Sequence, residues 1–177
     1  MTRERTRRLF FALWPDERVR QQLALEAQRV VDARAGRPVP PANFHVTVVF
    51  LGPVPQSRFD AVAHSAAQSQ GRAFELCLDR LQLWARSGVL CLTARTPPAL
   101  QALAQQLRSC LSANGVGVQE QALRAHVTLA RNMPGRQAPA QTTAVRWPVR
   151  DYVLVESQPA QGGSRYIVLE RWPLREG

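Results

Sequence analysis

Lysine is absent from this chain, and all 23 basic residues are arginine. Carboxylates are scarce too: 13 acidic residues leave a net charge of +10. A positive excess of that size concentrates phosphates near the surface and favours nucleic acid or another polyanion as partner. Only three cysteines occur, Cys77, Cys91 and Cys110, an odd set with no CxxC spacing. That argues against a disulfide framework and a zinc ribbon, and each reads as a small buried apolar residue. No apolar run reaches the roughly 18 residues of a membrane span, so no membrane partner is expected. The apolar run Leu9 to Trp14 is too short for a signal core and is cut off by Asp16 and Glu17. A cytoplasmic protein is the expectation. Hydrophobic residues make up 45% of the chain, which suits a packed core and excludes disorder. The length of 177 residues suits a single domain over 1–177, with room for two small lobes.

Strands and helices alternate along the chain. Leu9 to Trp14 reads as a strand, and Asp16 as the N-cap of a helix running to about Asp32. Glycine and three prolines in ARAGRPVPPA stop that helix and lead into the strand FHVTVVFLG. Ser57 reads as the cap of an alanine-rich helix ending near Ser69. The segment AFELCLDRLQLWAR then suits one long strand or a bent pair, returning through Ser87-Gly88 to VLCLTA. Pro97-Pro98 opens a helix that Asn114-Gly115 ends. Then follow LRAHVTLAR, the loop MPGRQAPAQTT, the strand AVRWPVRDYVLVES, a turn at QPAQGGS and a closing strand RYIVLERWPL. The hairpins indicate antiparallel pairing, so the expected class is α+β, not a parallel doubly wound sheet.

Alternation within NFHVTVVFLG directs His45, Thr47 and Val49 to one face and Val46, Val48 and Phe50 to the other. About half the chain later the pattern recurs as His126-Val127-Thr128-Leu129, again in a strand. The repeat suggests two pseudo-symmetric halves with antiparallel sheets around a central cleft and helices packed outside. Two facing imidazoles suit in-line displacement at phosphorus: one takes a proton from the nucleophile, the other protonates the leaving oxygen. Histidine does both near neutrality, its ordinary pKa being ~6.5. The threonine hydroxyls can hold phosphate oxygens without adding negative charge. Neither histidine has carboxylates spaced beside it for a metal site, so no metal or other cofactor is expected.

The paired motifs FHVTVVFLG and AHVTLAR, with RLFFALWP at the start and SRYIVLERWPL at the end, resemble the two-histidine (2H) phosphoesterase superfamily. Within it the chain is similar to the bacterial and archaeal RNA 2′,3′-cyclic phosphodiesterases, also called 2′-5′ RNA ligases. The resemblance covers nearly the whole chain. It implies a bilobal α+β fold and a metal- and nucleotide-independent reaction that opens a terminal 2′,3′-cyclic phosphate to a 2′-phosphomonoester. The same site can join or cleave 2′-5′ linked RNA. The resemblance further implies His45 and His126 as catalytic, with His126 as base and His45 as acid, and Thr47 and Thr128 as substrate-binding. It makes Arg131 a phosphate ligand. Strict alternation puts Arg131 opposite His126, so this needs a bulge or the strand's end near Ala130. Arg124 shares the face of His126, where related proteins can carry an aromatic, and is a further candidate for the phosphate. Phe11 resembles the family's base-stacking aromatic, worth ~1–3 kcal/mol per base, and Tyr166 is a second candidate.

His64, in the alanine-rich helix without a threonine partner, reads as a surface or packing residue. Trp14, Trp84, Trp147 and Trp172 read as core or rim residues. Arg3, Arg5, Arg7 and Arg8 are equally a guide for RNA and a frayed basic tail. The expected partner is an RNA end carrying a cyclic phosphate, of tRNA origin among the options, and a monomer is the simpler expectation. Two alternatives stay open: a phosphodiesterase for a small cyclic nucleotide or 2′-5′ oligonucleotide, and a non-catalytic RNA-binding module.

Overall fold

Both faces of the first strand are apolar, and that determines how the rest of the chain assembles around it. The computed structural model describes residues 4–31, 35–119, 121–135, 138 and 141–176. The expected helix end at Asp32, Arg3 of the basic tail, and Arg136, Gln137, Pro139 and Ala140 of the MPGRQAPAQTT loop lie outside these. Strand β1 (Thr6–Leu13) pairs antiparallel with β3 (Val46–Pro55) on one side and β9 (Asp151–Ala160) on the other. β10 (Gly163–Pro173) adds to β9, giving the order β10-β9-β1-β3. A second four-stranded sheet is ordered β2 (Arg37–Pro38), β7 (His126–Arg131), β6 (Val89–Thr93), β5 (Arg80–Trp84). The segment AFELCLDRLQLWAR is the bent pair of the two options: β4 (Phe74–Leu78) leaves to pair with β8 (Val145–Val149). β8 and β9, one strand in the sequence reading, are likewise divided between two sheets at Arg150.

Among the described residues, three α-helices accompany the sheets. Asp16 caps α1 (Glu17–Val30) by accepting the Val19 amide at 2.8 Å. Ser57 does not cap α2 (Phe59–Gln68). A short 3₁₀ turn over Gln56–Arg58 intervenes, and the Ser57 amide donates to Glu4 instead. Helix α3 (Pro98–Ala113) turns Leu100, Leu103, Leu107 and Leu111 inward at helical spacing. These join Leu9, Phe11 and Leu13 of β1 with Leu90, Leu92, Val127 and Leu129 of the second sheet in one core. A continuous core beneath both sheets fixes how the lobes sit relative to each other. The other face of the first sheet carries a smaller apolar group of Phe10, Ala12, Val153 and Val155.

The strand of each motif bulges at the residue following its threonine. Thr47 pairs with Ala12 and Val49 with Phe11, leaving Val48 unpaired. Thr128 pairs with Cys91 and Ala130 with Leu90, leaving Leu129 unpaired. A bulge shifts the side-chain parity of everything beyond it. Val49, expected beside His45, therefore enters the core, while Phe50, expected opposite, turns to the cleft. The equivalent step in the second motif takes Ala130 into the core and brings Arg131 to the cleft.

Buried Tyr152 of β9 ties the first sheet to α2, its hydroxyl donating to the Ala66 carbonyl at 2.7 Å. Tyr152→Phe removes that bond from a buried carbonyl. It is expected to cost about 1–2 kcal/mol of unfolding free energy in urea titration.

Candidate active site

The two sheets present their motifs across one cleft. His45, Thr47, His126 and Thr128 line the same chamber, of about 190 Å³, together with Arg8 and Arg131. Phe10, Phe50 and Tyr166 complete its apolar walls. The doubled motif thus converges on a single volume.

The ring orientations follow from backbone geometry that is repeated with the motif. Nδ1 of His45 lies 2.7 Å from the Asn43 carbonyl, and Nδ1 of His126 lies 2.7 Å from the Arg124 carbonyl. A carbonyl only accepts, so in each ring Nδ1 carries the proton and Nε2 keeps its lone pair. The carbonyl sits two residues before the histidine in both cases. Nε2 of His45 is 3.2 Å from the Thr47 hydroxyl.

Aromatic rings surround the imidazoles unequally. His45 stacks on Trp14 at 5.7 Å and meets Phe10 and Tyr166, each at 5.1 Å between centroids. His126 has one such neighbour, Trp84, at 4.6 Å. Burial pushes the His45 pKa down to about 4, and the charges of His126 and Arg131 add to the depression. The Asn43 hydrogen bond opposes it. His126 is also lowered, by burial first and then by Arg131 and Arg124, against its bond to the Arg124 carbonyl.

Several expected residues sit elsewhere than predicted. Phe11 lies in the core, 0% exposed, against Tyr152 and Trp172, and so is not a stacking platform. Its neighbour Phe10 is the one that lines the cleft. Arg124 does not line the chamber: its guanidinium lies 5.9 Å over the Trp84 ring, and its carbonyl is what serves His126. Trp14 and Trp84, expected as core or rim, pack directly on the histidines. Arg8, grouped in the sequence with a frayed tail, belongs to β1 and sits 4.8 Å over Phe50 at the chamber wall. Among the described residues, no three His, Cys, Asp or Glu side chains gather as a metal site.

Two neutral imidazoles, two hydroxyls and two guanidinium groups about one small chamber define a phosphoester-handling site of the two-histidine kind. Comparison with known proteins agrees. The family model described as LigT like Phosphoesterase matches residues 13–91, a span holding the first motif. The RNA 2′,3′-cyclic phosphodiesterase of Escherichia coli K12 is 33% identical over 172 residues, 96% of this chain and 97% of that one. Its Thermus thermophilus counterpart is 29% identical over 180 residues, covering 95% of this chain and 90% of that one. The crystal structure of E. coli LigT in apo form matches with a TM-score of 0.87 at 32% identity, over 98% of this chain and 99% of that one. The chain belongs to the LigT-like phosphoesterases, within the RNA 2′,3′-cyclic phosphodiesterase family of two-histidine enzymes.

His45 has a folded pKa of about 4 against an ordinary 6.5. On acidification the unfolded chain therefore takes up this proton first. The resulting contribution to stability is present above pH 6.5 and is lost as pH falls through 4. A ring ¹⁵N titration should show His45 as the Nδ1–H tautomer down to about pH 5. Adding inorganic phosphate should raise its midpoint, since a nearby anion favours the imidazolium.

Proposed function

We propose that the chain is an RNA 2′,3′-cyclic phosphodiesterase that opens terminal cyclic phosphates by paired-histidine acid–base catalysis. The observation that carries this reading is the convergence of His45 and His126 on one chamber, each with Nδ1–H held by a main-chain carbonyl. The cyclic phosphate lies between them. His126 Nε2 takes a proton from a water as its oxygen bonds to phosphorus. The bond from phosphorus to O3′ breaks, and His45 Nε2 delivers its proton to O3′. The products are a 2′-phosphomonoester and a free 3′-hydroxyl. Thr47, Thr128 and Arg131 hold the non-bridging oxygens, where the negative charge is concentrated. Reversal of the same transfers supports 2′-5′ joining of RNA ends. All groups in this scheme come from one chain, which supports a monomer and one 2H domain over residues 1–177; the proposed setting is RNA ends in the cytoplasm.

The free site resists this polarity, because His45 is the harder of the two to protonate. The polarity requires a bound phosphate to favour the imidazolium form of His45 over that of His126. In the desolvated surroundings of Phe10, Trp14 and Tyr166, attraction to an anion is stronger than in water and opposes the penalty for charge. His45, the more enclosed ring, gains most.

On an RNA oligonucleotide ending in a 2′,3′-cyclic phosphate, His45→Ala and His126→Ala should each lower kcat by roughly 10²–10⁴-fold. Chelator should leave wild-type turnover unchanged. A substrate with sulfur in place of the 3′-oxygen has a leaving group that needs no proton, so it should rescue His45→Ala and not His126→Ala. Rescue of His126→Ala alone would exchange the two roles. Full activity in either alanine variant would remove the mechanism.

A further inference from the structure

Beside the histidines the cleft widens into a second chamber of about 340 Å³. His45, Thr128, Arg131, Ser164 and Tyr166 line both spaces, so a ligand can extend from one to the other. The outer wall is made by Arg37 of β2, by Asn43, and by the β9–β10 turn at Gln161–Ser164. Among the described residues no carboxylate lines either space, whereas Arg8, Arg37 and Arg131 do.

Arg37 and Arg131 are direct cross-strand partners in the β2–β7 pairing. Like charges in that position repel and destabilise the pair. Among the described residues neither has a carboxylate partner. An anion reached by both would turn the repulsion into two attractions. The hairpin tip is fitted to this arrangement. A Cβ at Gly163 would stand 3.3 Å from Arg37 Nη2, so a side chain there would press on the guanidinium. Asn43 Nδ2 donates to the Ser164 carbonyl at 2.9 Å, fastening the tip beside the residue that orients His45. A shallower trough leaves past Arg5, Arg7 and Arg8, but Glu156 lies in it and takes Arg7 at 2.8 Å. Its positive charge is partly cancelled, so the Arg37 side is the better path for a strand.

On an RNA 3′ end, the negative charge nearest the cyclic phosphate is the diester on the 5′ oxygen of the same ribose. Resting on the phosphodiesterase reading above, we propose that the outer chamber binds this diester, with Arg37 as its principal cation. The enzyme thereby selects the end of a strand over a free nucleoside 2′,3′-cyclic phosphate.

The test compares kcat/KM for adenosine 2′,3′-cyclic phosphate and for the dinucleotide ApA bearing a 2′,3′-cyclic phosphate. Arg37 is exposed on a two-residue strand, so its variants should fold, and a thermal melt checks this. Wild type should prefer the dinucleotide by about tenfold or more, the scale of one charge-assisted contact. Arg37→Gln should bring that ratio close to one. It should also make the slope of log kcat/KM against log salt for the dinucleotide shallower by about 0.7. Arg37→Lys should keep the slope and part of the preference. Equal wild-type rates on both substrates would overturn the proposal and leave the phosphodiesterase reading intact. An equal loss on both substrates in Arg37→Gln would also overturn it, assigning Arg37 to the terminal phosphate. No wild-type turnover of either would overturn the phosphodiesterase reading itself.

Discussion

Two main-chain carbonyls, of Asn43 and Arg124, orient everything that the site can do. Each accepts Nδ1–H from the histidine two residues on, at 2.7 Å, and so leaves Nε2 with a lone pair free to take a proton. The constraint is local, since a strand entering its sheet brings that carbonyl beside the ring without further help. Global architecture enters only in making the two strands face each other, which the shared core achieves by packing β1 and α3 with the second sheet. A fixed tautomer is what lets an imidazole act as acid or base along a defined direction.

Enclosure by aromatic rings sets the electrostatics. Both histidines are pushed towards the neutral form, His45 most. The positive charges nearby are arginines, and the sequence offers no lysine in their place. A guanidinium is planar, always charged and suited to gripping two phosphate oxygens at once, so it holds the ligand without joining the proton transfers. In the proposed mechanism proton traffic is thus confined to the imidazoles, and the ligand is held by guanidinium and hydroxyl groups that take no part in it. Both imidazoles are thus held towards the neutral form in the free site, and an entering anion would favour their protonation.

Much of this was readable from residue order. The repeat of histidine and threonine, the hairpin turns and the proline boundaries are local signals, and they indicated an α+β fold with two facing motifs. What was not readable depends on parity or on distant partners. Phe10 and Phe11 are both strand residues, and alternation says that only one faces the cleft without saying which. The bulge at Val48 reversed the placing of Val49 and Phe50, because an unpaired residue appears only when strand registers are compared. The bulge at Leu129 met the condition for Arg131 to reach the cleft side, which the sequence could state but not decide. Trp14, Trp84 and Arg37 gain their positions from elements far away in the chain. No spacing rule connects Arg37 to Arg131.

The two equivalent bulges bring unlike residues to the site. Three residues past each threonine, the first motif presents Phe50 and the second presents Arg131. A strict repeat with arginine at both places would set positive charge on both flanks and remove Phe50 from the apolar wall. Instead Phe50 carries Arg8 over its ring at 4.8 Å, so the first lobe supplies its cation indirectly, from a different strand. Cation–π contact holds a guanidinium in place without neutralising it, as a carboxylate would. The first lobe becomes the enclosed, aromatic side and the second the more open, charged side. Two chemically identical imidazoles are thereby given different environments, which the proposed division into acid and base can use.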